Sequence, residues 1–368
     1  MRRILRVVLG FALALLAVGG FLWIVGPRQV LDELTGVDPA TYAAGFLAVV
    51  AAFYCWSEAL RRLLASVGGD AAREVGGPRY RAAFMSGEFL KQVVPMGHSG
   101  GPVFVSYAVS KETDAPYEEA LAAATVVEFV NIASSVALAG VGIGVVLLTS
   151  DGPITPLFVA LLVGFAVAVV ALGGAALLVN SRRALVERLV LRAAGIGRAT
   201  VGRLSGRARA ALAADRVAGT FGTYYAAFDR ALADRAEVRR AAAFSLAGWA
   251  LFLAPMYTSF RAIGEPVPYA LVVFVVPVLS LVNVVPLPGG LGGFEVALAA
   301  VVVALVGLEL PAATAGVFLY RLSNYWFVVL LGGLAAAWVS TRLADPPSPL
   351  APTPEPDGSS TESATDGE

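Results

Sequence analysis

Two short stretches of the sequence combine helix-breaking residues with charged or titratable side chains inside otherwise apolar surroundings. The first, GEFLKQVVPMGHSGG, covers residues 87–101, and the second, VVPLPGGLGGFE, covers residues 284–295. Each contains Val-Val-Pro followed by a cluster of glycines. Backbone amides that are left free beside a helix N-terminus bind anions, so both stretches predict a site for a group such as phosphate.

In the second stretch, two prolines end one half-helix, and the next half-helix is predicted to begin near Phe294. The glycines whose amides are candidates to bind the anion are Gly289, Gly290, Gly292 and Gly293. The alternative is that these glycines only allow close helix packing. Glu295, in the first turn of the second half-helix, either complements the helix dipole or contacts the ligand directly. Both alternatives stay open at this level.

The first stretch carries side chains of both charges. Glu88 and Lys91 are three residues apart, so they share a helix face and can pair. His98, the single histidine, either binds phosphate and titrates near neutral pH or caps the turn. The backbone candidates beside it are Gly97, Gly100 and Gly101. A lone histidine lacks the partners of a metal site, and we expect no metal or other cofactor.

Each stretch is followed by an apolar run that contains polar residues. VVEFVN places Glu128 and Asn131 in one run, and YRLSNYW places Arg321 and Asn324 in the other. Ionisable side chains inside a membrane cost about 2.5–3.5 kcal/mol and usually face a cavity or a partner. Glu128 and Arg321 are therefore candidates to pair with each other or to flank the site, with a purely structural ion pair as the alternative. The guanidinium fork of Arg321 suits bidentate binding of phosphate.

The composition identifies the class of protein. Hydrophobic residues make up 58% and charged residues 15% of the 368 residues, whereas soluble proteins average about 25% charged. Several apolar runs reach the roughly 20 residues needed to cross a bilayer. The apolar run near the N-terminus is too long for a signal peptide and predicts an uncleaved first helix. We therefore expect an all-α polytopic membrane protein. The lone Cys55 excludes a disulfide framework.

Six segments are predicted to cross the membrane fully, and the two broken stretches are predicted to enter it and turn back. The full spans are 4–26, 39–64, 118–149, 155–179, 240–263 and 312–340. The broken segments are 80–110 and 268–307. Residues 1–344 would form one transmembrane domain. The Pro/Ser/Thr-rich, acidic tail 345–368 has little to bury and is predicted to be disordered.

The distribution of arginine predicts the orientation. Cytoplasmic loops are enriched in Lys and Arg, and the segment 182–240 carries 13 arginines, no lysine and 5 acids. It is predicted to be a cytoplasmic loop that contacts anionic lipid or a protein partner. Both termini then lie in the cytoplasm, and the protein lies in the plasma membrane. Each broken segment is predicted to lie between two connections on the same side of the membrane, so it must enter and leave by the same face. The two segments are therefore predicted to be re-entrant hairpins that enter from opposite faces.

Corresponding Gly/Pro-interrupted segments in two oppositely oriented halves are typical of inverted-repeat transporters. Non-helical backbone survives at membrane depth only where protein buries it or where it lines a polar cavity. The two breaks are therefore expected to meet near the midplane and to form one site.

The strings PLPGGLGGFE, FLYRLSNYW and GEFLKQVVPMGHSGGP resemble the flippase-like membrane region of lysylphosphatidylglycerol synthase and its stand-alone relatives. The resemblance covers nearly all of residues 1–342. It implies movement of lipids with anionic or modified headgroups, and, in some relatives, handling of polyprenyl-phosphate-linked sugars. The family often has an arginine near the position where VVEFVN offers Glu128 and Asn131. The aminoacyl-transfer domain of the bifunctional enzymes is not part of this sequence.

These observations predict a membrane transporter that moves an anionic lipid between leaflets, with a phospholipid or a polyprenyl-phosphate-linked sugar as substrate. Two alternatives stay open: an intramembrane transferase that acts on lipid-linked sugars, and a non-transporting accessory subunit. The expected partners are membrane lipids, and a homo-oligomer or a membrane enzyme partner is also open. No motif indicates binding of nucleic acid.

Overall fold

The structure is a computed structural model, and it describes residues 19–68, 75–94, 100–113, 115–149, 155–181, 214–282 and 290–343, with isolated positions between 183 and 195. Twelve α-helices, one of them continued by a π-helical turn, account for most of these residues. No strand is found in these ranges. The predicted all-α class is therefore confirmed. The tail 345–368 and most of the first predicted span lie outside the described residues.

The twelve helices range from 8 to 33 residues in length. In chain order they are α1 (Pro27–Leu34), α2 (Pro39–Val67), α3 (Gly77–Val93), α4 (Gly101–Glu112), α5 (Tyr117–Thr149), α6 (Pro156–Ser181), α7 (Ala214–Ala233), α8 (Arg235–Ala262), α9 (Tyr269–Val282), α10 (Gly293–Val306), α11 (Leu310–Arg321) and α12 (Phe327–Leu343). The π-helical segment Leu322–Trp326 joins α11 to α12, so these two form one long interrupted helix.

Four described helical stretches are long and apolar enough to cross a membrane. They are Pro39–Val67, Tyr117–Thr149, Arg235–Ala262 and Leu310–Ser340. They coincide with four of the six predicted full spans. Helix α6 coincides with a fifth, and its apolar part Pro156–Ala171 is one of three shorter apolar stretches beside Tyr269–Ser280 and Gly293–Val306. The chain is therefore a multi-pass membrane protein by the length and composition of its helices.

The first broken segment consists of two antiparallel helices. A Cβ on Gly87 of α3 would lie 2.5 Å from the Cα atom of Val105 in α4, and a Cβ on Gly101 would lie 2.8 Å from the Lys91 side chain. The pairs 87/105 and 91/101 show that α4 runs antiparallel to α3, as the two helices of a hairpin do. At 1.5 Å per residue, α3 is about 25 Å and α4 about 18 Å long, each shorter than the roughly 30 Å hydrocarbon core.

The second broken segment contains two helices of equal length, α9 and α10, each 14 residues. They contact each other, and α9 also packs against α5 while α10 packs against α11. The segment between them, residues 283–289, lies outside the described residues. Gly290 and Gly292 both have positive φ, at 64° and 88°, which favours glycine at the start of α10.

The buried apolar residues form two main clusters that α8 joins. One cluster lies among α2, α3, α4, α5 and α7, and the other lies among α6, α9, α10 and α11. Helix α8 contributes to both and makes the largest helix contact of the described structure, with α2.

The start of α8 differs from the sequence prediction. The Arg-rich segment was predicted to continue to residue 240, but α8 begins at Arg235, and Asp234 caps it by accepting hydrogen bonds from the amides of Ala236 and Glu237. Carboxylates at this position stabilise a helix start. Helix α7 also lies within the Arg-rich segment, whose charge spacing is typical of amphipathic helices, so the described part of 182–240 is largely helical.

Candidate functional site

The hairpin α3–α4 forms one side of a cavity of about 150 Å³. Helices α2, α5 and α8 form the remaining walls. Five of the predicted site residues line this cavity, and they are Glu88, Lys91, Gly101, Glu128 and Asn131. They are brought together because α4 packs against both α3 and α5, while Gly101 allows Lys91 to lie against the start of α4.

Lys91 lies between two carboxylates in this cavity. Its Nζ is 3.2 Å from Oε1 of Glu88 and 3.6 Å from Oε2 of Glu128. The Glu88–Lys91 pair predicted from the spacing is therefore present. The side chains of Lys91 and Glu88 are 13% and 10% exposed, whereas that of Glu128 is 34% exposed. Glu128 is thus the member of this triad that is most accessible from the cavity.

Polar and aromatic groups complete the cavity wall. Asn131 accepts a hydrogen bond from the hydroxyl of Ser245 in α8. Four aromatic residues from α2 and α8 pack edge to face or tilted, with ring centroids 4.9–5.9 Å apart, and they are Phe53, Trp56, Trp249 and Phe252. Within the described residues, the indole N–H groups of both tryptophans are buried and lack a hydrogen-bond partner. The cavity therefore offers a cation, two carboxylates and an apolar wall.

The second broken segment forms a separate, buried cluster. The Nε of Arg321 donates to Oε1 of Glu295 at 2.6 Å, with the two side chains 7% and 3% exposed. The guanidinium also lies over the rings of Phe294 and Tyr325, at 5.1 and 4.5 Å from their centroids. Among the residues that the structure shows, the acidic partner of Arg321 is Glu295, whereas Glu128 pairs with Lys91. The expected Glu128–Arg321 pair is therefore replaced by a separate pair in each half.

The N-terminus of α10 already binds an anionic group of the protein itself. The amide of Gly292 donates to Oε2 of Glu295 at 2.6 Å. Glu295 thus uses one carboxylate oxygen for the helix start and the other for Arg321. Complementation of the helix dipole, one of the two roles considered from the sequence, describes this side chain, whereas a direct contact of Glu295 with the ligand stays a prediction. Gly290 and Gly293 lie in the same turn, whereas Gly289 lies outside the described residues.

The π-helical turn places three consecutive polar residues in the interior. Ser323, Asn324 and Tyr325 are all buried. The Nδ2 group of Asn324 and the hydroxyl of Tyr325 are buried without a hydrogen-bond partner among the described residues. Single π-helical turns inside α-helices occur frequently at functional sites. This turn follows Arg321 directly, so it extends the polar cluster along α11.

The described site residues therefore fall into two groups rather than one. The residues lining the 150 Å³ cavity come from α2, α3, α4, α5 and α8, and Glu295, Arg321 and Asn324 are not among them. Gly100 is the residue before α4, and a Cβ on it would lie 3.2 Å from the ring of Phe104. Gly97 and His98 lie outside the described residues.

One charged cluster escaped the sequence analysis. Glu58 of α2 is 6% exposed and accepts hydrogen bonds from Arg61, with Nη2 at 2.5 Å and Nε at 2.9–3.0 Å. Arg62 and Arg81 approach the same carboxylate at 3.4 and 3.9 Å. The spacing of Glu58 and Arg61 in SEALRR was a usable signal, because residues three apart share a helix face. No ion pair was predicted for these arginines, and helix α2 continues through Arg61 and Arg62 to Val67.

Comparisons with known proteins agree with this architecture. The sequence matches the profile of the family described as the lysylphosphatidylglycerol synthase TM region over residues 7–332. It is also 26% identical over 365 residues to the glycosyltransferase AglD of Haloferax volcanii, a match that covers 91% of this chain and 54% of that protein. The chain thus spans about half the length of this curated relative. No solved structure matches. By its match over most of its length, the chain belongs to the lysylphosphatidylglycerol synthase TM region family.

Proposed function

We propose that this protein moves an anionic lipid, a phospholipid or a polyprenyl-phosphate-linked sugar, between the two leaflets of the membrane. In this proposal α3–α4 and α9–α10 are re-entrant hairpins that dip in from opposite faces, as halves of an inverted repeat. The shortness of their helices supports this arrangement, as does the antiparallel packing of α3 on α4. Family membership supports a role in lipid chemistry.

The position of Lys91 is the observation that carries the proposal. It is the cation that lines a cavity between apolar helices, and it is held there by Glu88 and Glu128. Burying a charged triad at this location costs free energy, so such groups are usually paired with a partner or retained for a function. The ammonium can exchange its carboxylate partners for the phosphate of a lipid headgroup, while the lipid chains remain in the bilayer.

Charge balance sets a condition on this exchange. Glu88, Lys91 and Glu128 together carry one net negative charge when all three are ionised, so an incoming phosphate meets repulsion as well as the lysine. Binding of the phosphate therefore requires Glu128, the most accessible member, to give up its contact with Lys91. These three are the titratable side chains that line the cavity among the described residues.

The two halves of the chain differ in how deeply their ion pairs are buried. In each half an ion pair connects a broken segment to the following span, Lys91–Glu128 in the first half and Glu295–Arg321 in the second. The first lies in a cavity, whereas the second is almost completely buried. We propose that the structure represents a state in which the first half is open to the lipid and the second half is closed.

The test is lipid exchange in proteoliposomes. The purified protein is reconstituted with headgroup-labelled phosphatidylglycerol or with a labelled short polyprenyl-phosphate sugar, and a membrane-impermeant quencher is added. The proposal expects quenching beyond the outer-leaflet fraction for at least one of these lipids. Protein-free liposomes and label on a neutral glycolipid serve as controls. Quenching that stops at the outer-leaflet fraction for both anionic lipids would contradict the proposal.

A second candidate is a transferase, or the membrane subunit of one, that acts on lipid-linked sugars. The name of the relative AglD, a glycosyltransferase, favours this candidate. The exposed carboxylate of Glu128 in the cavity could act as a base on such a lipid. Incubation of the purified protein with a sugar donor and a polyprenyl phosphate separates the two functions. A new lipid-linked product that is lost in Glu128→Gln would favour the transferase.

A further inference from the structure

A second cavity of about 250 Å³ lies on the outside of the helix bundle, between α2, α3 and α12. We call it the lateral groove. Its walls include Val50, Tyr54 and Ser57 of α2, Arg81 and Met85 of α3, and Leu331 of α12. From Val50 to Ser57 the groove follows two turns of α2, about 10 Å. Arg81 and Ser57 lie at one end, and the remaining wall is largely apolar.

The lateral groove is open toward the surroundings of the protein. Val50 is 48% exposed and Tyr54 is 51% exposed, although both belong to a helix that is long and apolar enough to cross the membrane. A groove on such a helix faces lipid when the protein is in a bilayer. Its apolar wall therefore fits a hydrocarbon chain.

Arg81 is held in place at the polar end of the lateral groove. Its guanidinium carbon lies 4.0 Å from the centroid of the Tyr54 ring, and Nη1 donates to the hydroxyl of Ser57 at 3.1 Å. Its nearest carboxylate oxygen, on Glu58, is 3.9 Å from Nη2, and the side chain is 32% exposed. An oriented and partly exposed guanidinium is suited to bind the oxygens of a phosphate.

The charged residues next to Arg81 favour the binding of an anion. Glu58 is shared by Arg61, Arg62 and Arg81, while Glu237 is shared by Arg62 and Arg240. These four arginines and two glutamates leave a surplus of two positive charges. Because two carboxylates cannot neutralise four guanidinium groups, an anionic headgroup at Arg81 improves the local balance of charge.

The lateral groove and the Lys91 cavity share a wall. Phe53 and Phe84 line both, and their side chains are buried at 5% and 4% exposure. These two rings thus separate Arg81 from the cavity that contains Lys91. Rotation of aromatic rings is the smallest change that would join the two spaces.

We propose that the lateral groove is a binding site for one phospholipid, whose phosphate contacts Arg81 and whose acyl chain lies along Val50, Met85 and Leu331. The use of this site to load the Lys91 cavity past Phe53 and Phe84 rests on the proposed function. Binding of a phospholipid in the groove is independent of that function.

The test uses the full chain in nanodiscs that contain phosphatidylglycerol with a photoactivatable diazirine in its acyl chain. Cross-linked peptides are identified by mass spectrometry after irradiation. Wild-type protein is expected to be labelled on the α2, α3 and α12 residues of the groove. Arg81→Ala is expected to lose about tenfold of this labelling, equivalent to about 1.4 kcal/mol. Arg79→Ala, an exposed arginine two residues away, is the matched control and is expected to stay within about twofold.

Met85→Trp provides an independent variant, because it fills the groove while Arg81 and the Glu58 cluster stay intact. It is expected to reduce labelling to a similar extent even if Arg81→Ala proves unstable. Labelling of the groove that is unchanged in both Arg81→Ala and Met85→Trp would overturn the proposal. This experiment needs no lipid exchange, so a failure of the groove proposal is distinguished from a failure of the transport proposal.

Discussion

The Nε of Arg321 donates to Oε1 of Glu295 across 2.6 Å, and this contact joins the start of α10 to the end of α11 in the interior of the second half. The other oxygen of Glu295 holds the amide of Gly292. One carboxylate therefore fixes both the helix start after the broken segment and the helix that follows it.

Removal of one member of this pair is expected to be strongly destabilising. Arg321→Ala leaves the Glu295 carboxylate buried without its cation, a change that costs roughly 3–5 kcal/mol. The double variant Arg321→Met/Glu295→Gln is expected to recover much of this loss, because neither charge then remains. Denaturant unfolding in detergent micelles measures both values. Equal destabilisation of the single and the double variant would contradict the role of the ion pair.

The contact between α2 and α8 depends on the absence of a side chain at residue 248. A Cβ on Gly248 would lie 2.5 Å from Nε1 of Trp56, in the aromatic wall of the Lys91 cavity. Gly248→Ala is expected to destabilise the protein by about 1–3 kcal/mol through overpacking. Gly140→Ala in α5 is the control, because no atom lies within 4 Å of its added Cβ and alanine favours a helix. Thermal unfolding of the two variants should move in opposite directions, and a common direction would refute this account of the contact.

The start of α2 should respond to acid. Asp38 accepts hydrogen bonds from the Thr41 hydroxyl and from the amides of Ala40 and Thr41, and these bonds lower the pKa of its carboxyl from the usual 3.8. Because the pKa is lower in the folded state, this stabilisation is complete above about pH 4. It is lost as the pH falls through the folded-state pKa.

Asp38→Asn keeps a capping side chain but cannot titrate. Its thermal stability relative to wild type is therefore expected to rise as the pH is lowered from 5 to 2. Asp38→Ala should be less stable than wild type at neutral pH and should approach it in acid. A constant difference between Asp38→Asn and wild type over this range would contradict the assignment.

The charge balance of the Lys91 cavity predicts the effect of Glu128. Glu128→Gln removes one of the two carboxylates that compete with a phosphate for Lys91. A short-chain phosphatidylglycerol is therefore expected to bind roughly tenfold more tightly, about 1.4 kcal/mol. Glu119→Gln, on the same helix but paired with Arg230, is the control. Weaker binding by Glu128→Gln in calorimetry would show that the carboxylate assists the ligand rather than competing with it.

The sequence predicted the helical class and four of the long spans, whereas the re-entrant segments 80–110 and 268–307 stay a prediction. The class and the spans follow from local properties, because apolar length and the placement of proline and glycine determine where helices begin and end. The Glu88–Lys91 pair could also be predicted from local sequence, since its members lie three residues apart on one helix. In contrast, α8 starts five residues before the predicted span because Asp234 caps it.

Contacts between helices could not be predicted in the same way. Glu128 and Arg321 were candidates to pair with each other, but which opposite charge each one meets depends on how α4 packs on α5 and how α11 packs on α10. The Trp56–Trp249 wall and the Arg81–Tyr54 contact likewise join residues that are distant in sequence. A single sequence contains no signal for such neighbours.

The two lysines of the chain provide the most direct test of lipid movement through the cavity. Lys91 lies between Glu88 and Glu128, whereas Lys111 is exposed at the end of α4. The measurement is the rate of phosphatidylglycerol exchange in proteoliposomes for Lys91→Gln and Lys111→Gln at equal reconstitution. Lys91→Gln is expected to slow exchange at least about tenfold, and Lys111→Gln to leave it close to wild type. Exchange that is equally fast in wild type and both variants would contradict a transport path through the Lys91 cavity.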